Sequence, residues 1–178
     1  MGLPLPLGEL MFLTPAEAQP IIDEFMLHRG SHFDPDHDEY GYVIEATIFF
    51  PPHKADFFAS FPPLAIPRKV VSDELSPHTR DLAAMYGMST DRPTTKLVSD
   101  LSEKCNYILH YRYLRSVLFL GAELRSIRRV LRFKQAAWLA PYIEGNTRMR
   151  TLATSESERN FWKLMNNCVY GKTMENVR

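Results

Sequence analysis

The placement of the prolines constrains this chain more than any other feature. Five of its thirteen fall at positions 51, 52, 62, 63 and 67. Each removes a backbone donor and fixes φ, so no long helix or central strand can cross that stretch. An extended surface excursion is expected from Pro51 to Pro67. Three further prolines sit where a helix can begin. Thr14-Pro15-Ala16-Glu17 reads as a capping box opening a helix that reaches about Leu27, with Pro20 straining it. Ser76-Pro77 caps a short helix closed by Gly87, and Pro141 starts a helix to about Leu152, although Gly145 weakens it.

Between these marks the pattern alternates between strand and helix. Tyr42 to Phe50 is rich in β-branched and aromatic residues and reads as a strand stopped by Pro51. Lys96 to Leu101 and Tyr107 to Tyr111 read as two strands joined by a polar turn, Ser102 to Asn106. A helix about Tyr113 to Leu120 ends at Gly121. Leu124 to Phe133 mixes apolar and basic positions as a strand does, and Ser155 to about Tyr170 completes a helical hairpin with the preceding helix. The expected class is α+β: a small mixed sheet region with a Pro-rich insertion, followed by a basic two-helix hairpin. The expected division is 1–133 and 134–178.

The formal net charge is zero, but it is unevenly spread. Residues 1–40 carry eight acidic side chains against Arg29, while residues 101–178 carry fourteen basic and six acidic ones. A basic segment with interleaved aromatics is a footprint for nucleic acid or nucleotides, and a solvated helical face accounts for it equally well. No apolar run is long enough to span a membrane. The opening Met-Gly-Leu-Pro-Leu-Pro lacks a basic n-region, and Cys105 and Cys168 have no CxxC partner, so an intracellular, reduced protein is expected.

Asp34, Asp36, Asp38 and Glu45 imitate the spacing of a calcium loop. Glu39 stands where the sharp turn needs glycine and Glu45 falls in a strand, so the segment reads as a solvated acidic loop. His28, His32 and His37 are metal-ligand types, but His28 and His32 straddle Gly30, and a surface loop is the expectation there.

The last constellation lies on the final helix. Arg159 and Lys163 are four apart, and Asn166, Asn167 and Tyr170 continue that side. Two cations at this spacing suit a polyphosphate, an aromatic ring one to two turns on can close over a sugar or base, and the following Gly171 lets a backbone approach closely. The pattern by itself is met as well by an amphipathic helix with a basic outer face.

Lys163-Leu-Met-Asn-Asn167-Cys168-Val-Tyr170-Gly171 resembles the B motif of family B DNA polymerases, Kx3NSxYG. The string KLMNNCVYGKTMENVR is similar to the protein-primed branch, especially polymerases of Polinton/Maverick transposons and related viruses. Leu131 to Ile143 resembles the approach to the first finger helix, Leu109 to Leu120 a segment before it, Gly41 to Glu45 a strand after motif A, and Leu3 to Gly8 the stretch just past motif A. The resemblance implies a DNA-directed DNA polymerase whose fingers grip the incoming dNTP during DNA replication. By motif position Lys163 would contact the triphosphate, with Arg159 one turn earlier. Tyr170 would flank the nascent base pair and sugar, Asn167 would fix the triphosphate or the Tyr170 environment, and Gly171 would follow. Arg148 and Arg150 lie where the family has further phosphate-binding cations; Thr151 replaces the expected lysine, and Arg150 would substitute for it. Cys168 stands where serine is usual.

The implied partners are a DNA primer–template, dNTP and a terminal priming protein, at a nuclear, viral or transposon replication site and away from membranes. The Pro-rich middle would correspond to an insertion contacting duplex DNA and that protein. The complete enzyme would use two Mg2+ ions held by aspartates of motifs A and C, whose ligands are not in this chain. The chain therefore reads as an internal fragment, from just after motif A to just past motif B, inactive as a polymerase by itself. The competing reading is a non-catalytic, transposon-derived DNA- or protein-binding remnant.

Overall fold

A computed structural model describes residues 3–90, 95–173 and 175. The last part of the B-motif string, Met174 and Asn176 to Arg178, lies outside the described residues. The class is α+β. Strands are β1 (Leu5–Phe12), β2 (Tyr40–Phe49), β3 (Ile66–Lys69), β4 (Thr95–Val98), β5 (Lys104–His110) and β6 (Glu123–Ala136). Helices are α1 (Pro15–His28), α2 (Ala55–Ala59), α3 (Pro77–Met85), α4 (Tyr111–Phe119), α5 (Ala140–Leu152) and α6 (Glu156–Thr173). One sheet has the order β1-β6-β2-β5, and β3 pairs with β4 in a second. The β1–β6, β2–β5 and β3–β4 pairings are all antiparallel, where a mixed sheet was expected. Ile48, near the end of β2, faces Lys104, the first residue of β5. The chain leaves and re-enters at one end of the pair, so it must run back antiparallel. Among the described residues no helix is long and apolar enough to cross a membrane.

Two compact units are distinguishable, and both are discontinuous in sequence. The first comprises Met1–Phe12, Phe33–Tyr42 and Leu131–Arg178. Here β1 lies along the C-terminal part of β6, from Leu5 opposite Ala136 to Phe12 opposite Leu131. Lys134 forms ion pairs with Glu39 at 3.0 Å and Glu9 at 3.7 Å, and the Trp138 indole donates to the Pro6 carbonyl. Gly41 lies under the Phe133 ring, and a β-carbon there would sit 2.5 Å from ring atoms. The acidic loop closes on itself: the Asp34 main-chain carbonyl accepts from the His37 and Asp38 amides, the Asp34 carboxylate accepts from the Asp36 amide at 3.2 Å, and the Asp38 carboxylate accepts from the Asp34 amide at 2.9 Å. Its oxygens serve as turn acceptors, as Asp does in loops generally.

The second unit comprises Leu13–His32 and Val43–Val130. Thr14 caps α1 in a true capping box: Glu17 accepts from the Thr14 amide at 2.9 Å while the Thr14 hydroxyl accepts from the Glu17 amide. Helix α1 runs through Pro20 and ends at Arg29 and Gly30, both left-handed, at φ 57° and 74°. Ser76 caps α3 as expected, and Gly87 and Gly121 both take positive φ. The core joins Ile44, Ala46 and Ile48 of β2 to Leu109 of β5 and to Tyr111, Leu114, Val117 and Leu118 of α4. The α4 set recurs at three- and four-residue steps, so one stripe of the helix is buried.

One expectation fails in this unit. The Pro-rich segment is no surface excursion. It holds a 3-10 turn (Pro52–Lys54), α2 and β3, and it buries Phe58 and Leu64, with the Phe58 ring edge-on to Phe50 at 5.0 Å. Proline forbids long ladders, but it leaves its apolar neighbours free to pack. The two strands expected at Lys96 to Leu101 and Tyr107 to Tyr111 are present as β4 and β5, and each finds its partner elsewhere: β4 pairs with β3 and β5 with β2. Between them, Asp100 accepts from the fully buried Lys104 ammonium and from Arg68 at 3.1 Å, tying β5 to β3. Glu45, whose spacing from Asp34 only imitates a calcium loop, lies in a strand as expected: it is a buried β2 residue that accepts from Arg129 and Arg128. The Arg129 hydrogen bond, set against desolvation, holds its carboxyl below the ordinary glutamate range.

Candidate functional site

The candidate site is built on α5 and α6. Pro141 stands in the first turn of α5, where its missing N–H leaves no orphan donor. Ser155 starts α6: its hydroxyl accepts from the Glu158 amide at 3.2 Å, and the Glu158 carboxylate returns to the Thr154 amide. Residues 153–155 form the turn between the helices, with Ala153 buried. Polar contacts then fix how the helices dock. The Asn146 amide donates to the Asn166 carbonyl oxygen at 2.9 Å, Asn166 donates to the Thr147 hydroxyl, and Tyr142 donates to the Met165 carbonyl at 3.2 Å. Asn146 is buried, so its satisfaction by Asn166 avoids an unpaired buried amide.

This docking opens a cavity of about 660 Å³ between the helices. That size is typical of small-molecule sites. Its wall on α6 carries Lys163, Asn166, Asn167 and Tyr170, and its wall on α5 carries Glu144, Thr147, Arg148, Arg150 and Thr151. Three cations therefore face it against a single carboxylate, Glu144, among the lining residues. Such a cleft concentrates anions.

Of the residues expected from sequence, Lys163, Asn167, Tyr170 and Arg150 line this cavity, together with Arg148. Arg159 does not: its Nε donates to the Ala153 carbonyl at 3.3 Å, so it braces the turn between the helices. Gly171 is also absent from the lining, and α6 continues through it to Thr173 with open space where a β-carbon would stand. Thr151, noted as a departure from the family's lysine, does reach the cavity, but its hydroxyl donates to the Thr147 carbonyl. Thr147 and Glu144 were not foreseen as lining residues, nor Asn146 as the residue that docks the two helices. The available signal was the small polar pair Thr147 and Thr151 at a four-residue step, next to the basic positions 148 and 150.

Much of the positive charge of residues 101–178 is engaged elsewhere: Lys104 on Asp100, Arg128 and Arg129 on Glu45, and Lys134 on Glu39. The cavity cations Arg148, Arg150 and Lys163 are all exposed. A two-magnesium cradle needs several carboxylates around one point. The cavity offers only Glu144 among its lining residues, so the cavity does not fit that pair of ions, and no chemical step through them is drawn from it.

No family model, no curated protein and no solved structure matches this chain.

Proposed function

We propose that the α5–α6 hairpin binds a nucleoside triphosphate, as the fingers element of a DNA-directed DNA polymerase of the protein-primed family B type. The observation that carries this reading is the convergence, from two helices, of Lys163, Arg148 and Arg150 with Asn167 and Tyr170 on one cavity. The cations suit the polyphosphate, each adding charge and donors. The Tyr170 ring, at the cavity wall, suits a sugar or base face. Asn167 supplies an amide that can both donate and accept. This hairpin would bind and orient the nucleotide, while the chemistry of chain extension would need carboxylates from other segments of the enzyme.

Titration of the chain with a fluorescent dATP analogue tests the reading. Saturable binding is expected. Lys163→Ala should weaken it by roughly 10- to 150-fold, the equivalent of one charge-assisted hydrogen bond. Tyr170→Ala should also weaken binding, whereas Arg159→Ala should reduce stability and leave affinity nearly unchanged. Equal affinity of the wild type and Lys163→Ala would overturn the proposal. Salt-sensitive binding of a short DNA duplex without nucleotide binding would favour a nucleic-acid-binding remnant.

A further inference from the structure

The C-terminal end of α1 brings together three residues of metal-ligand type that have no part in the nucleotide site. Glu24 and His28 are one turn apart on α1 and so share a face of the helix. His32 lies beyond the helix end, and sequence spacing alone would carry it away. The left-handed pair Arg29 and Gly30 reverses the chain instead, with their amides donating to the Phe25 and Glu24 carbonyls. His32 thereby returns to Glu24. Its amide donates to Oε1 at 3.0 Å, and its Nδ1 lies 2.8 Å from Oε2. The His28 and His32 rings are 4.7 Å apart between centroids.

This turn is held firmly. Phe25, on the helix just inside it, is 1% exposed, and a β-carbon at Gly30 would lie 2.7 Å from its ring. Gly30 is thus required both for its positive φ and for the close approach of the ring. The potential ligand atoms of Glu24, His28 and His32 all lie within 4.8 Å of one another. Tetrahedral ligands bound at about 2.0–2.1 Å stand about 3.4 Å apart, so modest side-chain rotations close the set on one ion. Both imidazoles are exposed and accessible from solvent.

We propose that Glu24, His28 and His32 form a binding site for a borderline divalent cation of the zinc class, with a fourth position left to water. Two imidazoles and one carboxylate are a donor set that zinc accepts, whereas magnesium and calcium call for oxygen ligands. On binding, the Glu24 carboxylate exchanges its contact with the His32 ring for the ion, while the backbone bonds of Arg29 and Gly30 keep the ligands assembled.

Calorimetric titration of the chain with Zn2+, in a background of millimolar Mg2+, tests this. The protein should carry Cys105→Ser and Cys168→Ser, since both thiols are exposed and would bind zinc themselves. One equivalent should bind saturably. Loss of an outer partner of a metal site already costs about 10–100-fold in affinity, so His28→Ala/His32→Ala should weaken binding by at least that much. Glu24→Gln should weaken it as well, and His53→Ala/His78→Ala should leave it unchanged. Far-UV circular dichroism would verify that the double histidine variant keeps its helices, as exposed substitutions should. Absence of saturable binding, or undiminished binding in the His28→Ala/His32→Ala variant, would overturn the proposal.

Discussion

Replacing Asp100 with alanine should be among the most damaging single changes in the second unit. The Lys104 side chain is 0% exposed, and its ammonium donates to the Asp100 carboxylate and, at 3.2 Å, to the Ser102 hydroxyl. Asp100 also accepts from Arg68, which keeps a second partner in Glu74. Alanine at 100 would leave a buried ammonium with one neutral acceptor. Breaking a buried pair from one side costs about 3–5 kcal/mol, because the remaining charge is uncompensated. With a urea dependence of about 2 kcal/mol per molar, the unfolding midpoint should fall by roughly 2 M. Far-UV circular dichroism is the suitable probe, since both tryptophans, Trp138 and Trp162, lie in the other unit. The double variant Asp100→Ala/Lys104→Met removes both charges and should recover most of the loss. A cost below about 1 kcal/mol for Asp100→Ala, or a double variant no more stable than the single one, would refute this account. The same pair predicts an acid limb. Hydrogen bonds from Lys104 and then Ser102 hold the Asp100 carboxyl well below its ordinary value of 3.8. The folded state therefore takes up this proton less readily than the unfolded chain. Its stabilisation is complete above about pH 5 and is lost as the pH falls through 3.8 toward the folded value. Asp100→Asn should flatten that limb.

Two further outcomes follow from the first unit. Gly41→Ala places a methyl 2.5 Å from the buried Phe133 ring and 2.8 Å from the Gln135 side-chain oxygen, and should destabilise by about 1–3 kcal/mol in denaturant titration; an unchanged midpoint would show that the Phe133 ring yields freely. In a double-mutant cycle, Asn146→Ala and Asn166→Ala should show a coupling of about 1 kcal/mol, and strictly additive losses would mean that their 2.9 Å hydrogen bond does not dock the hairpin.

Helical period alone made the α6 wall of the candidate site legible, whereas Arg148 and Arg150 of the α5 wall were expected only through the family resemblance. Lys163, Asn167 and Tyr170 are brought to one side by the 3.6-residue period of a single helix, so their convergence required no knowledge of tertiary contacts. The facing wall, with Glu144, Thr147 and Arg148, exists only because Asn146 and Tyr142 dock α5 onto α6. Arg159 shows the converse: helical periodicity aligns it with Lys163, yet the turn at Ala153 provides an acceptor that claims it.

The sequence by itself determined where elements begin and end. Thr14 with Glu17, Ser76 with Pro77, Gly87, Gly121 and Pro141 act through bonds and sterics that reach at most four residues, and these sites sit in the structure where local rules place them. Tertiary structure alone decided which strands pair and which charges are used up. Neighbouring strands β4 and β5 separate into different sheets because Leu97 and Ile108 meet partners thirty or more residues away, at Pro67 and Glu45. Lys104 becomes a buried charge and Glu45 a partner for two arginines for the same reason, whereas the local turn at Arg29 and Gly30 is what returns His32 to Glu24. A local pattern specifies what a residue offers, and only the folded chain specifies what it meets.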